Sequence, residues 1–107
     1  NIRYADYYIE ALEEIISERR RDEKKIALWG CGKNGKELLG LMRDKNISID
    51  YIVDECKDMQ GSMYEGNKIY SFDEKQDEID TVLITNLAYK KEIESKAYGK
   101  EVIYVWK

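Results

Sequence analysis

The chain has 107 residues, which is the size of one ordinary domain and too short for a cofactor domain joined to a separate catalytic domain. Acidic residues outnumber basic ones by 22 to 18, and the net charge of −4 excludes the broad basic surface that draws nucleic acid or anionic lipid. No apolar run approaches the roughly 18 residues that cross a bilayer, so we expect no membrane insertion. The N-terminus has neither the apolar segment nor the cleavage site of a signal peptide, so we expect a cytoplasmic protein.

The residues of common catalytic and metal sites are scarce. Histidine is absent, and the two cysteines, Cys31 and Cys56, fit neither a disulfide framework nor a zinc site. We therefore expect reduced thiols, no metal, and no nucleophile activated by histidine. The chain begins with Asn1 and not with methionine, so we expect a piece of a longer chain; the alternative is removal of a tag. Because no catalytic set of residues is found, we expect that the piece is not catalytic by itself and belongs to a longer enzyme such as a transferase.

The first predicted element is an amphipathic helix over residues 4–20. Tyr8, Ile9, Leu12, Ile15 and Ile16 recur at helical spacing, while most glutamates fall elsewhere on the helical wheel. A charged turn then leads into the first strand. We predict that residues 1–24 form this helix, packed on or extending a domain formed by residues 25–107.

Strands and helices alternate after residue 25. The short apolar run 26–29 ends at a glycine, as in a central parallel strand, and residues 35–43 have a helical pattern. The other predicted strands are at 49–53, 68–70, 81–85 and 102–106. A helix is predicted after Ser71, where Glu74 completes a capping box. Another is predicted from Asn86 to Lys96, and Gly99 ends it.

This alternation predicts the α/β fold class, because right-handed crossovers make consecutive strands parallel. We expect a small Rossmann-like, doubly wound parallel sheet of about five strands in the order 3-2-1-4-5. In such sheets the ligand binds beyond the carboxyl ends of the strands, where the strand order reverses. That position corresponds to the turn after the first strand.

This turn reads Gly30-Cys31-Gly32-Lys33-Asn34-Gly35, a complete G-x-G-x-x-G between a strand and a helix. Gly30 permits the sharp turn, Gly32 leaves room for a pyrophosphate, and Gly35 lets the helix approach the strand. We expect the main-chain amides from Cys31 to Lys36 to converge on the anion. The side chains of Lys33 and Lys36 could also contact a phosphate. The alternative is that they are ordinary exposed lysines on a turn.

Polar residues after two other strands complete the candidate site. Asp54 lies 19 residues beyond Gly35, near the spacing of an acid that binds ribose hydroxyls, and Glu55 follows it. Thr85 and Asn86 end the fourth strand and are expected to face the same crevice. The alternatives are that Asp54 merely ends a strand and that Thr85 and Asn86 cap the next helix.

The residues of the turn partly fit two other functions. Gly30, Gly35 and Lys36 also fit a P-loop, but Glu37 replaces the Ser or Thr that holds magnesium, which argues against nucleotide hydrolysis. Cys31, at a helix N-terminus, could act as a thiolate if its pKa were lowered; the alternative is a small residue that fills a tight turn.

Five features follow one another along the chain: the glycine turn, the segment from Tyr51 to Asp54, Gly61, the segment 66–69 and the apolar strand 79–84. Together they resemble the small Rossmann-like domains of bacterial sugar-modifying enzymes. Examples are the N-terminal nucleotide-sugar-binding domain of pilin-glycosylation-type sugar acetyltransferases and similar domains of sugar C-methyltransferases and polysaccharide-biosynthesis enzymes. The resemblance covers about residues 25–106. It implies that Gly30, Gly32, Gly35 and Asp54 hold the nucleotide of a sugar donor. Neither hexapeptide repeats nor a catalytic histidine are present, so acetyl transfer is not implied.

The sequence therefore predicts a module that binds a nucleotide-containing small molecule, either NAD or a nucleotide-sugar. One alternative is a regulatory domain that senses NAD or a CoA-like nucleotide. Another is a scaffold module that has lost its ligand and forms a homodimer through the tyrosine-rich first helix, with Tyr4, Tyr7 and Tyr8.

Overall fold

The computed structural model describes residues 2–6 and 9–106. The elements in chain order are β1 Ile2–Asp6, α1 Ile9–Arg21, β2 Ile26–Trp29, α2 Lys33–Asp44, β3 Tyr51–Val53, β4 Met63–Tyr64, β5 Asn67–Tyr70, α3 Phe72–Lys75, β6 Thr81–Ile84, α4 Lys90–Lys96 and β7 Glu101–Trp106. A 3-10 turn, Leu87–Tyr89, precedes α4. Within these ranges no helix has both the length and the apolar character needed to cross a membrane.

The strands form one seven-stranded sheet in the order β1-β7-β6-β2-β3-β5-β4. Every neighbouring pair is parallel except β4 and β5, which are antiparallel. The predicted α/β Rossmann-like fold is confirmed. The expected order of five strands corresponds to β5-β3-β2-β6-β7 at the centre of the sheet, and the structure adds β1 at one edge and β4 at the other.

The beginning of the chain differs from the prediction. Residues 4–6, expected in a helix, belong to β1, which pairs in parallel with β7 so that Tyr4 lies opposite Tyr104. The helix begins at Ile9, and Tyr7 and Tyr8 lie outside the described residues. Hydrogen bonding along β7 stabilises a strand here, and this tertiary pairing outweighs a helical spacing that extended only a few residues.

Helices cover both faces of the sheet. On one face, Leu12 of α1 and Leu38 and Met42 of α2 pack against Leu28 and Ile52. On the other face, the rings of Trp29 and Phe72 stack with centroids 4.7 Å apart, and Ile93 of α4 joins the same cluster. Burial of each such side chain contributes about 1.5–3 kcal/mol, so the two clusters fix the helices and thereby the loops at the sheet edge.

The sequence did not predict the β4–β5 hairpin. Its two-residue loop, Glu65-Gly66, has φ values of 49° and 83°, the left-handed region required by a tight turn of this kind. The first position of such a turn is usually occupied by Asn, Asp or Gly. Glu65 stands there, so the usual sequence signal for a hairpin is missing.

Candidate functional site

The register of the three central strands brings the predicted site residues together. Trp29 at the end of β2 pairs with Val53 of β3 on one side and with Ile84 of β6 on the other. The next residues along the chain, Gly30, Asp54 and Thr85, therefore leave the sheet side by side. Because the chain goes from β2 to β3 on one side and later to β6 on the other, the strand order reverses beside β2.

Two glycines of the turn are required by the backbone itself. Gly30 has a φ of 105°, and its N–H donates to the Val53 carbonyl at 2.8 Å, which ties the turn to β3. Gly35 packs against the same turn, because an added Cβ there would lie 2.1 Å from the Gly30 carbonyl oxygen. These contacts match the roles predicted for a sharp turn and for close helix packing.

Gly32 is different from the other two. It is exposed and is the N-cap of α2, with φ −85° and ψ −159°, a conformation that does not need glycine. An added Cβ would meet no heavy atom of the described chain within 4 Å. Neither backbone strain nor packing within the described chain accounts for a missing side chain, and the space above Gly32 is open.

The carboxylate of Asp54 fastens the two loops together. One oxygen, Oδ2, accepts the Cys31 N–H at 2.8 Å, and the other, Oδ1, accepts the Cys56 N–H at 2.8 Å. Asp54 N–H donates to the Tyr70 carbonyl at 2.9 Å, which also anchors the loop to β5. The sequence predicted that Asp54 lies at the site, but it did not predict the hydrogen bond between Asp54 and the glycine turn.

The hydrogen bonds of Asp54 change which main-chain amides can face the crevice. The Cys31 N–H was expected to bind the anion, and it is committed to Asp54 because the two loops approach closely. The Lys36 N–H donates to the Gly32 carbonyl at 2.9 Å as the first full turn of α2 closes. The anion-binding amides of the prediction are therefore reduced to those of the first turn of α2, which begins at Lys33 and carries the positive end of the helix dipole.

The side chains around the turn occupy distinct positions. Lys33 and Asn34 are exposed at the start of α2. The Lys36 ammonium lies 5.2 Å from the centroid of the Tyr64 ring, a cation–π contact with β4. The Cys31 side chain is fully buried in the core cluster.

Burial raises the pKa of the Cys31 thiol, with Asp54 adding to the rise and Lys36 opposing it. A raised pKa is the opposite of what the thiolate alternative requires, because the thiolate is the nucleophilic form. Cys31 therefore fits the other interpretation, a small residue that fills the base of a tight turn.

The remaining site residues border the same edge. Glu55 accepts a hydrogen bond from the Lys96 ammonium at 3.3 Å, and this contact raises the pKa of Lys96. Thr85 is buried at the end of β6. Asn86 caps the 3-10 turn, its side-chain oxygen accepting the Ala88 N–H at 2.9 Å, so its predicted capping role is confirmed at that turn.

Two cavities lie elsewhere, at the C-terminal end of α2. One of about 580 Å³ is lined by residues that include Met42, Ile49 and Tyr64, and one of about 350 Å³ extends to Arg20 of α1. Neither includes a residue of the glycine turn. We place the candidate site at the turn, because strand register and turn geometry converge there, whereas these cavities are grooves between a helix and its neighbours.

Comparisons with known proteins agree with this fold. Among solved structures, the crystal structure of RSP in complex with β-NADH matches with a TM-score of 0.55 at 13% sequence identity, and the match covers 90% of this chain. The chain spans 54% of that structure. A likeness at this identity shows the fold alone. No curated protein matches the sequence. The family model described as C2185-like, N-terminal matches residues 22–103, most of the chain, and the protein belongs to this family.

Proposed function

We propose that this domain binds the phosphates of a nucleotide-containing small molecule at the glycine turn. The observation that carries the proposal is the open space at Gly32, where neither the backbone nor the described packing explains the absence of a side chain. A phosphate approaching the main chain does explain it, because any Cβ would occupy the position of the anion.

Electrostatics favours a local site of this kind. The net charge of −4 opposes anion binding in general, so the attraction must come from groups close to the turn. The first turn of α2 supplies backbone donors and the positive end of the helix dipole. Lys33 is exposed beside them and would add one positive charge.

Asp54 is proposed to bind the ribose while it holds the turn. A carboxylate has about four lone-pair positions, and two of them are used by the Cys31 and Cys56 amides. The others can accept ribose hydroxyls. The negative charge of Asp54 would repel a 2′-phosphate, so a dinucleotide ligand would be the unphosphorylated form.

NAD and a nucleotide-sugar are the two ligand classes proposed. NAD is supported by the similar fold of RSP, whose structure contains β-NADH. A nucleotide-sugar, and with it a place in a bacterial sugar-modifying or polysaccharide-biosynthesis enzyme, is supported by the sequence resemblance. In that case the catalytic residues would be supplied by another part of a longer chain.

Calorimetric titration with NADH, a UDP-sugar, CoA and S-adenosylmethionine tests the proposal and separates the ligand classes. Saturable binding of a nucleotide is expected. Gly32→Val should abolish this binding while the thermal unfolding midpoint changes little, because the new side chain projects into open space. Gly40→Ala, on the same helix but away from the turn, is the matched control and should bind normally.

A different result would reject the proposal. If no nucleotide bound, or if Gly32→Val bound as tightly as the unmodified protein, the turn would not be a phosphate site. Saturable binding of CoA or NAD that also alters self-association would keep the phosphate site and favour the regulatory alternative as its role. A ligand-free protein whose mass depends on concentration would favour the scaffold.

A further inference from the structure

The two cysteines of the chain meet at one carboxylate. Asp54 accepts the main-chain N–H of Cys31 through one oxygen and that of Cys56 through the other, each at 2.8 Å. Both thiols are free. Sequence spacing alone gave no reason to pair them, because 25 residues separate the two positions.

The strand register and the shared Asp54 carboxylate hold the loops that carry the two cysteines in contact. Trp29 and Val53 are register partners on adjacent parallel strands, which lie about 4.8 Å apart. Cys31 comes two residues after one partner and Cys56 three after the other. The Gly30 N–H bond to the Val53 carbonyl keeps the two loops together beyond the strand ends. A disulfide requires the two Cα atoms to approach to about 4.4–6.8 Å, and the two loops that must approach are already joined through one carboxylate.

The two thiols differ in accessibility. Cys56 is exposed, whereas Cys31 is fully buried beneath the glycine turn. An oxidant from solvent therefore reaches Cys56 first. For Cys31 to react, its side chain must leave the core, and the turn from Gly30 to Gly32 must move with it.

We propose that Cys31 and Cys56 form a reversible disulfide that regulates the nucleotide site, with a hydroperoxide as the oxidant. The Cys56 thiolate attacks one peroxide oxygen and the O–O bond breaks, which leaves a sulfenic acid and, with hydrogen peroxide, one water. Once Cys31 has left the core, where burial favours its thiol form, its thiolate attacks the Cys56 sulfur; the sulfenic oxygen leaves as hydroxide and takes up the thiol proton to give a second water. In total, two thiols lose two electrons and the peroxide gains them. A dithiol reductant reverses the reaction.

The regulatory part of this inference rests on the proposed nucleotide function. A phosphate over Gly32 holds the turn closed and keeps Cys31 buried, whereas the disulfide draws Cys31 out of the core. The two states exclude each other, so nucleotide should lower the share of protein in the disulfide form, and by linkage the disulfide should weaken nucleotide binding by the same factor. We expect each effect to be about tenfold, within the usual range of coupling between sites.

The chemical step is tested on the reduced, ligand-free protein. The protein is treated with hydrogen peroxide, remaining thiols are alkylated, and tryptic peptides are mapped without reduction. The expected product is a peptide of residues 26–33 linked to a peptide of residues 46–57 in a monomer that has lost two hydrogens. Cys56→Ser should leave Cys31 as an unmodified thiol under the same conditions, since its partner is gone.

Two outcomes would overturn the thiol pairing: a disulfide between Cys56 residues of two molecules, or Cys56 oxidised to sulfinic acid while Cys31 remains a thiol. The unmodified protein decides this even if Cys56→Ser fails to fold. Repeating the oxidation with saturating NADH tests the regulation. If calorimetry shows that NADH or a UDP-sugar binds but the yield of disulfide is unchanged, the coupling is contradicted and the pairing stands; if neither ligand binds, the proposed nucleotide site fails and the pairing still stands.

Discussion

Two of the three glycines of the turn meet a physical requirement of the fold, and the third does not. Gly30 needs a left-handed φ, Gly35 needs close contact with a carbonyl, and Gly32 needs neither. The G-x-G-x-x-G spacing predicted these roles, because each position has a fixed relation to the strand and the helix that flank it. The pattern could not show that Asp54 accepts a hydrogen bond from the Cys31 amide, since that bond depends on how two loops meet in space.

Gly35→Ala should destabilise the fold strongly. The new Cβ would be 2.1 Å from the Gly30 carbonyl oxygen, and a backbone atom cannot move away as a flexible side chain can. We expect a loss of at least about 3 kcal/mol in the free energy of unfolding, at the upper end of overpacking effects. Urea denaturation measures it. Gly32→Ala is the control and should change stability by less than about 1 kcal/mol; similar values for both variants would contradict the packing described here.

Tyr51 gives a prediction about alkaline pH. Its hydroxyl donates to Glu78 at 2.7 Å, and this bond, with smaller contributions from burial and nearby negative charge, raises its pKa from 10 to about 12. The neutral phenol is therefore favoured in the folded state. The resulting stability is complete below the unfolded pKa and is lost as the pH rises through the folded value.

Spectrophotometric titration of the tyrosines checks this expectation. One tyrosine should ionise near pH 12, and its step should vanish in Tyr51→Phe. In Glu78→Gln the same step should move back toward the ordinary value, because the charged acceptor is gone. If the titration curve is unchanged in Glu78→Gln, the hydrogen bond is not the cause.

At the scale of single elements, strands buried on both faces were the easiest to predict. Ile26–Trp29 has its predicted bounds, since four consecutive apolar residues before a glycine leave little ambiguity. The capping box of Ser71 and Glu74 is also confirmed, because it is encoded by neighbours in sequence. β3 begins at Tyr51 and not at residue 49, and the Asp50 carboxylate before it accepts the Ile26 N–H at 2.7 Å.

Gly40 lies inside α2, where glycine is unfavourable. An added Cβ would lie 3.9 Å from the Nη2 atom of Arg43, an ordinary contact distance. Gly40→Ala should therefore raise the free energy of unfolding by about 0.5–1 kcal/mol through helix propensity. Thermal or urea unfolding measures the gain. A loss of stability would show that the helix packs more tightly at this point than the structure indicates.

For the whole molecule, the central strand order followed from right-handed crossovers, whereas the edges did not. β1 contributes one strand whose pairing partner, β7, lies about 100 residues away in sequence, and local periodicity carries no information on such a contact. The division into residues 1–24 and 25–107 remains a prediction. In the structure, Leu12 and Ile16 of α1 belong to the same core cluster as Ile103 of β7.

A polar contact also joins the first helix to the last strand. Arg19 donates through Nε and Nη2 to the two carboxylate oxygens of Glu101, both at 2.7 Å, and the contact raises the pKa of the arginine. Thr81 donates to the same carboxylate at 3.0 Å. Such a paired, two-pronged bond between partly buried groups is stronger than a typical surface ion pair.

Arg19→Ala should lower the free energy of unfolding by about 1–3 kcal/mol, because Glu101 would keep its charge and lose its main partner. Glu101→Gln in the Arg19→Ala background should recover part of the loss. Lys90→Ala is the matched control: Lys90 and Glu94 form an exposed pair at 4.0 Å, and its removal should cost less than about 0.5 kcal/mol. Equal losses in the two variants would argue against a link between α1 and β7.

The short hairpin at the far side of the sheet has a consequence for behaviour in concentrated solution. An exposed strand border is a template onto which another chain can add by hydrogen bonding, and long flat borders promote aggregation. Here the outermost strand, Met63–Tyr64, is only two residues long and turns back at once through Glu65-Gly66. An incoming strand would find too few adjacent donors and acceptors to form a stable ladder on this side. The short hairpin therefore disfavours the addition of a strand from another molecule at this edge of the sheet.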